Sequence, residues 1–233
     1  MKFFTAAVIT ALVVSGCSFS HQGLLQDLDR TPKAANPIWA VSYEPSDEEV
    51  KEFISAHVLE VRGQWEGFAF GSLLDESFVV RYMIAGENLP DNCAEKEGFV
   101  TSDTLPYYCA STKTLHVSIP GMRELIAQNK HLEPLRLATG LYIGLAASLS
   151  PYYVEGVQRF ANNRYGYTIK EPSRNNRQLF GHCIAGTLTL ASGHTWEGKL
   201  LGYAHATYPT HLDDALRAGL GARPKLCFER YWR

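Results

Sequence analysis

The late part of the chain gathers the side chains with most chemical potential: His182, His194, His205 and His211, with Cys183 directly after His182. Imidazoles can hold a metal ion, and a thiolate beside an imidazole can act as a nucleophile. The spacing supports neither use. The interval from 182 to 194 spans two predicted elements, and that from 205 to 211 crosses Pro209, so no simple helical pair of ligands forms. Neighbours on a helix point about 100° apart, so His182 and Cys183 do not make a dyad by adjacency. No two cysteines stand in a CxxC spacing, and no HExxH, G-x-S-x-G, phosphate loop or dinucleotide fingerprint occurs. These observations predict no catalytic residue, no metal ligand and no cofactor. Tyr152, Tyr153, Tyr165, Tyr167 and Tyr203 would suit a peptide or glycan ligand, but packing is the simpler use of such residues.

Cys17 has a different setting. Lys2 precedes an apolar run, Phe3 to Val14, that is too short for a stable membrane span. The run ends in Val14-Ser15-Gly16-Cys17, which resembles the lipobox of bacterial lipoproteins. The resemblance implies that the thiol takes a diacylglyceryl group, that residues 1–16 are removed, and that the new amine is acylated in turn. Two or three acyl chains anchor stably where one binds only marginally. The expected location is the extracytoplasmic face of the cell membrane, with the lipid on Cys17 as the membrane contact.

With Cys17 assigned to lipid, Cys93, Cys109, Cys183 and Cys227 remain. An even number in an exported chain predicts two disulfides, with three pairings open from the count alone. The net charge of -2, with 45% hydrophobic and 20% charged residues, gives no basic surface for nucleic acid. The expected partners are the membrane and an envelope protein or peptide ligand.

The elements that must position these groups follow from periodicity. Residues 17–45 are polar without a sustained period and read as a lipidated tether; 46–233 read as a single domain. Ser46 and Glu49 fit a capping box ahead of Val50, Phe53, Ile54, Val58, Val61, Trp65 and Phe68 at helical spacing. Phe78–Ile84 and Thr114–Ile119 read as strands, with a polar loop over 85–108 between them. Helices are expected over 134–150, 153–162, 176–192, 196–207 and 211–218. A few strands followed by packed helices predict an α+β domain.

Taken in order, VRGQWEGF at 61–68, Cys93, Tyr107-Tyr108-Cys109, TLHVSI at 114–119, Cys183-Ile184-Ala185-Gly186, Thr210-His211 and Cys227-Phe228 resemble the neutral zinc metallopeptidases of bacteria. The likeness covers roughly 48–228. It implies a zincin-like fold, a few-stranded sheet followed by a mostly helical C-terminal half, with Cys93 paired to Cys109 and Cys183 to Cys227. A zincin sets two histidines at i and i+4 with a glutamate beside the first as general base. Here that segment reads Leu145-Ala146-Ala147-Ser148-Leu149, and Gln178 stands where the family has its third ligand, a glutamate. The expectation is a scaffold without zinc or peptidase activity that binds or regulates an envelope partner. An active hydrolase with an unrecognised site, and a purely structural envelope lipoprotein, are the alternatives.

Overall fold

The computed structural model describes residues 22–29, 40–66, 78–87, 90, 93, 106–193, 196, 210–221 and 223–232. Cys17, the expected lipid acceptor, lies outside them, as do His194, His205, Tyr203 and nearly all of the helix expected over 196–207. The described elements are α1 (22–28), α2 (Asp47–Glu66), β1 (Val79–Met83), β2 (Tyr107–Cys109), β3 (Thr114–Ser118), α3 (Ile119–Gln128), α4 (Pro134–Ser148), α5 (Ser150–Tyr165), α6 (Arg174–Ala191), α7 (Thr210–Leu220) and α8 (Pro224–Tyr231). This is an α+β arrangement, mostly helical, with one small mixed sheet.

Local chemistry accounts for most boundaries. The Ser46 amide donates to Glu49 Oε2 at 2.7 Å and the Glu49 amide to Ser46 Oγ at 3.2 Å, a reciprocal capping box that starts α2. Ser118 ends β3 and starts α3 at once: its hydroxyl accepts from the Gly121 amide at 3.1 Å, and Pro120 fills the first turn, where no donor is needed. Ser173 caps α6 in the same way. Gly166, at φ 71°, closes α5 in the left-handed conformation that glycine adopts without steric cost.

The sheet has the order β1-β3-β2, with β1 parallel and β2 antiparallel to β3. Leu115 and Val117 turn one face of β3 into the helical core, while His116 faces the other way, in register with Arg81 and Tyr107. The helical half is organised around α6, which packs on α4, α5, α7 and α8. Its approach to α7 is backbone to backbone: a Cβ on Gly186 would overlap the Leu216 carbonyl, and one on Gly219 the Cys183 carbonyl. Thr187 on α6 then reaches the Gly219 carbonyl at 3.3 Å.

Two readings need correction. The stretch read as a polar tether contains α1, whose Leu24 and Leu28 are wholly buried one helical turn apart and join the main core. Val41 and Tyr43 are also committed, Val41 to the core and the Tyr43 hydroxyl to the Leu132 carbonyl at 2.7 Å. Packing partners distant in sequence hold these residues, so no local period announced them. The loop expected over 85–108 likewise gives up its end to β2, where the Tyr107 hydroxyl donates to the Cys93 carbonyl at 2.8 Å.

Candidate functional site

Leu145 to Leu149, the segment that the family resemblance aligns with HExxH, is the end of a helix. α4 is buried from Leu137 to Ala147, which are apolar, small or aromatic on every side. Leu149 lies just beyond its last residue and links it to α5. The final carbonyls of a helix have no intrahelical partner. Here side-chain hydroxyls satisfy three of them: Ser148 donates to the Leu145 carbonyl at 2.7 Å, Tyr153 to that of Ala146 at 2.7 Å, and Ser150 to that of Ala147 at 2.5 Å. Leu145, Ala146 and Leu149 have no exposed surface, and neither does Phe180 opposite. α6 closes on this end so tightly that a Cβ on Gly181 would overlap Ser150. Gln178 is half-buried on α6, and its carbonyl accepts from or pairs with His182 Nδ1 at 2.8 Å. Leu145, Ala146 and Leu149 thus belong to the packed apolar core.

The other residues singled out from the sequence are separated by the fold. Cys93 is bonded to Cys109 and Cys183 to Cys227, with Cα atoms 5.4 and 5.6 Å apart. These are the pairs that the family resemblance implies, and Cys183 therefore offers no thiolate. His182 is buried, and burial pushes its pKa down to about 4. His211 is exposed at the start of α7. Tyr152 and Tyr153 are core residues; the Tyr152 ring meets Phe78 and Tyr108 edge-on. Among the described residues no group of three or more His, Cys, Asp or Glu could hold a metal ion, and no helix is long and apolar enough to cross a membrane.

A polar network that sequence reasoning missed lies between α2, α4 and α6. His57, Glu60 and Gln64 recur at i, i+3 and i+7, so they share one face of α2. Tyr142 donates to Gln64 Oε1 at 2.7 Å, Gln64 Nε2 donates to Ser192 Oγ at 2.8 Å, and Ser192 Oγ lies 3.2 Å from Glu60 Oε1. His57 Nδ1 pairs with the Phe53 carbonyl at 2.7 Å, and its Nε2 stands 3.9 Å from Glu60 Oε2. The helical spacing of three polar residues inside an otherwise apolar stripe was the available signal. Their partners lie 78 and 128 positions away in sequence. Burial pushes the Glu60 carboxyl up to about 7, against the Ser192 hydroxyl that lowers it, and pushes His57 down. Both groups are thus held towards their neutral forms. A serine nucleophile needs an imidazole on its hydroxyl. Here Ser192 meets the carboxyl and His57 does not touch it, so the arrangement favours a protonated carboxyl and lacks the geometry of a triad.

That proton gives a pH dependence. Unfolding returns Glu60 to an ordinary carboxylate value near 4.5 and releases its proton. The stability it carries is complete below about pH 4.5 and declines as pH rises through about 7. Glu155, also raised by burial, acts in the same direction. His57, His116 and His182 act oppositely: all are lowered, so their share is complete above about 6.5 and is lost as pH falls. Glu60→Gln is expected to reduce the loss of stability between pH 5 and pH 8 in urea titrations. An unchanged pH profile would show that burial does not hold the proton there.

A second feature is a groove of about 1040 Å³ along the outer edge of β1, between the first turns of α2 and α3. Val79, Arg81, Tyr82, Ile84, Lys51 and Arg123 line it; Val79 and Ile84 are 63% and 70% exposed. Its cations are matched by carboxylates: Arg123 with Asp47 at 3.1 Å, Lys51 with Glu48 at 2.6 Å, Arg81 with Glu87 at 3.3 Å. Among the described residues no strand pairs with this edge of β1. The Val79 amide donates to Lys113 in the β3 direction, so by alternation the Val80 and Tyr82 amides point into the groove. Leu145, Ala146, Leu149 and Gln178 line none of it.

A scan against protein-family models gives no match, and searches of curated proteins and of solved structures find no similar chain.

Proposed function

We propose that this chain is a lipid-anchored extracytoplasmic protein whose domain is a catalytically inactive relative of the zinc metallopeptidases and binds or regulates a cell-envelope partner. The observation that supports it most is the fully buried Leu145-Ala146-Leu149 set, with hydroxyls on the helix-end carbonyls. Leucine has no lone pair for zinc, and water has no path to a site without exposed surface. The lipobox-like Val14-Ser15-Gly16-Cys17 supports the anchor, and the two disulfides suit an oxidising compartment.

The groove beside β1 is the place where a partner segment would bind, as an extended strand added to the sheet edge. In that mode backbone hydrogen bonds supply affinity and the flanking pockets supply selectivity. The test is capture by cross-linking from intact cells with the lipid retained, comparing the native chain with Val80→Pro. Proline is tolerated on an edge strand but removes an outward donor. A stoichiometric partner captured by the native chain and lost by Val80→Pro, with unchanged thermal unfolding, is the expected result. Stoichiometric zinc in the purified protein, together with chelator-sensitive proteolysis, would overturn the inactive reading.

The buried Glu60–Ser192–Gln64–Tyr142 network favours a second reading, an active hydrolase that uses the raised Glu60 carboxyl as a general base. It requires hydrolysis that disappears in both Glu60→Gln and Ser192→Ala while the fold is kept.

A further inference from the structure

The N-terminal helix sets how far the domain can stand from a membrane. Leu24 and Leu28 are buried completely, and Asp27 is nearly so. Asp27 accepts a hydrogen bond from the Tyr165 hydroxyl at 2.5 Å and pairs with Arg164 Nε at 3.0 Å. Arg223 reaches from the start of α8 to the Asp29 carbonyl at 3.0 Å and to its carboxylate at 3.5 Å. Gly23 lies so close to the Tyr165 ring that a Cβ would stand 2.8 Å from it. α1 is therefore held at two points, the end of α5 and the start of α8, by hydrocarbon, a buried carboxylate and two arginines.

The consequence is a length. Between Cys17 and Gln22 lie only Ser18, Phe19, Ser20 and His21. Five extended peptide steps reach at most roughly 18 Å. The headgroup layer takes up about 5–7 Å of that, judged from the difference between whole-bilayer and hydrocarbon thickness. What remains is about the diameter of one helix, whereas a domain of this size measures roughly 40 Å across. A free tether over 17–45 would instead have allowed any face to meet the bilayer, with a root-mean-square reach of about 30 Å.

We infer that docked α1 shortens the leash so far that the domain lies on the bilayer surface in one orientation, with α1, the Tyr165 end of α5 and the Arg223 end of α8 as its membrane-facing side. This rests on the reading of Cys17 as the lipid acceptor. The ligand of this face is the lipid headgroup layer itself, and the arginines there are committed to Asp27 and Asp29, so orientation comes from the leash and not from a basic patch. The β1 groove is lined by none of these elements, which leaves it available to a partner while the chain is anchored.

The test uses the full chain, purified with its lipid from bacterial membranes and reconstituted into phosphatidylethanolamine–phosphatidylglycerol vesicles that carry an acceptor dye on the headgroup. A donor amino acid is placed at exposed Asn163, near the end of α5, or at exposed Glu124 on α3. Energy transfer is expected to be several-fold stronger from position 163 than from 124. Inserting twenty Gly/Ser residues after His21 is expected to bring the two towards equality, as is Leu24→Asp with Leu28→Asp, which releases α1. Equal transfer in the native chain, with lipid on Cys17 verified by mass spectrometry, would overturn the orientation alone. Absence of lipid on Cys17 would overturn the anchor reading and this inference together.

Discussion

The triple substitution Leu145→His, Ala146→Glu and Leu149→His is expected to unfold the domain and not to create a zinc site. Each leucine is fully buried, and truncating such a side chain to alanine costs about 2–5 kcal/mol. Histidine refills part of the volume but adds polar atoms with no partner, at roughly 1–3 kcal/mol for each unsatisfied group. Glutamate at 146 puts a carboxyl in a place where alanine has no exposed surface. Together these terms rival the roughly 5–15 kcal/mol that keeps an ordinary domain folded. The expected result is loss of the cooperative thermal transition, with zinc bound below one equivalent. A folded triple variant holding one tightly bound zinc would mean that this end of α4 is a latent metal site, and the inactive-scaffold proposal would then need rebuilding.

The second large effect concerns Cys183 and Cys227. The bond closes a separation of 44 residues and ties α6 to α8; in the chain-entropy model that is worth about 4 kcal/mol. The Cys93–Cys109 bond closes 16 residues and is worth about 3 kcal/mol on the same account. The two differ more in surroundings than in loop length. All four cysteines are buried, but Cys183 and Cys227 lie where α6 meets α7 and α8, next to Thr187 and Gly219. Cys93 belongs to the segment that leads to β2 at the sheet edge. Cys183→Ala with Cys227→Ala is therefore expected to shift the urea midpoint of the whole domain by an amount equivalent to about 4 kcal/mol or more, since two buried side chains are also shortened. Cys93→Ala with Cys109→Ala is expected to cost less globally and to raise protease sensitivity between β1 and β2. The reverse ranking would show that the small sheet, not the α6 hub, limits stability.

How much of this was legible depends on the range of the cause. The capping box at Ser46 and Glu49, the helical spacing of α2 and the apolar run of α4 are short-range effects, and they stand in the chain as written. That no HExxH stands at 145–149, or anywhere else in the chain, is legible in the same direct way, because ligand chemistry is a property of residue type. Three-residue β2 has too short a span to show a period, and α3 follows β3 without a break, through one serine that serves both.

The sequence by itself determined the α+β class, the main helices, the absence of a recognisable catalytic motif, and four cysteines able to pair. Tertiary structure decided the rest. Leu24 and Leu28 are buried in the core because α1 is held against the end of α5 and the start of α8, more than a hundred residues away in sequence. The Glu60 carboxyl is pushed up to about 7 because helices distant in sequence close over it and strip it of water, against the Ser192 hydrogen bond. Burial and desolvation arise only when distant segments close on one another, so the docking of α1 on the domain, and the carboxyl that would answer to pH, are properties of the packed molecule.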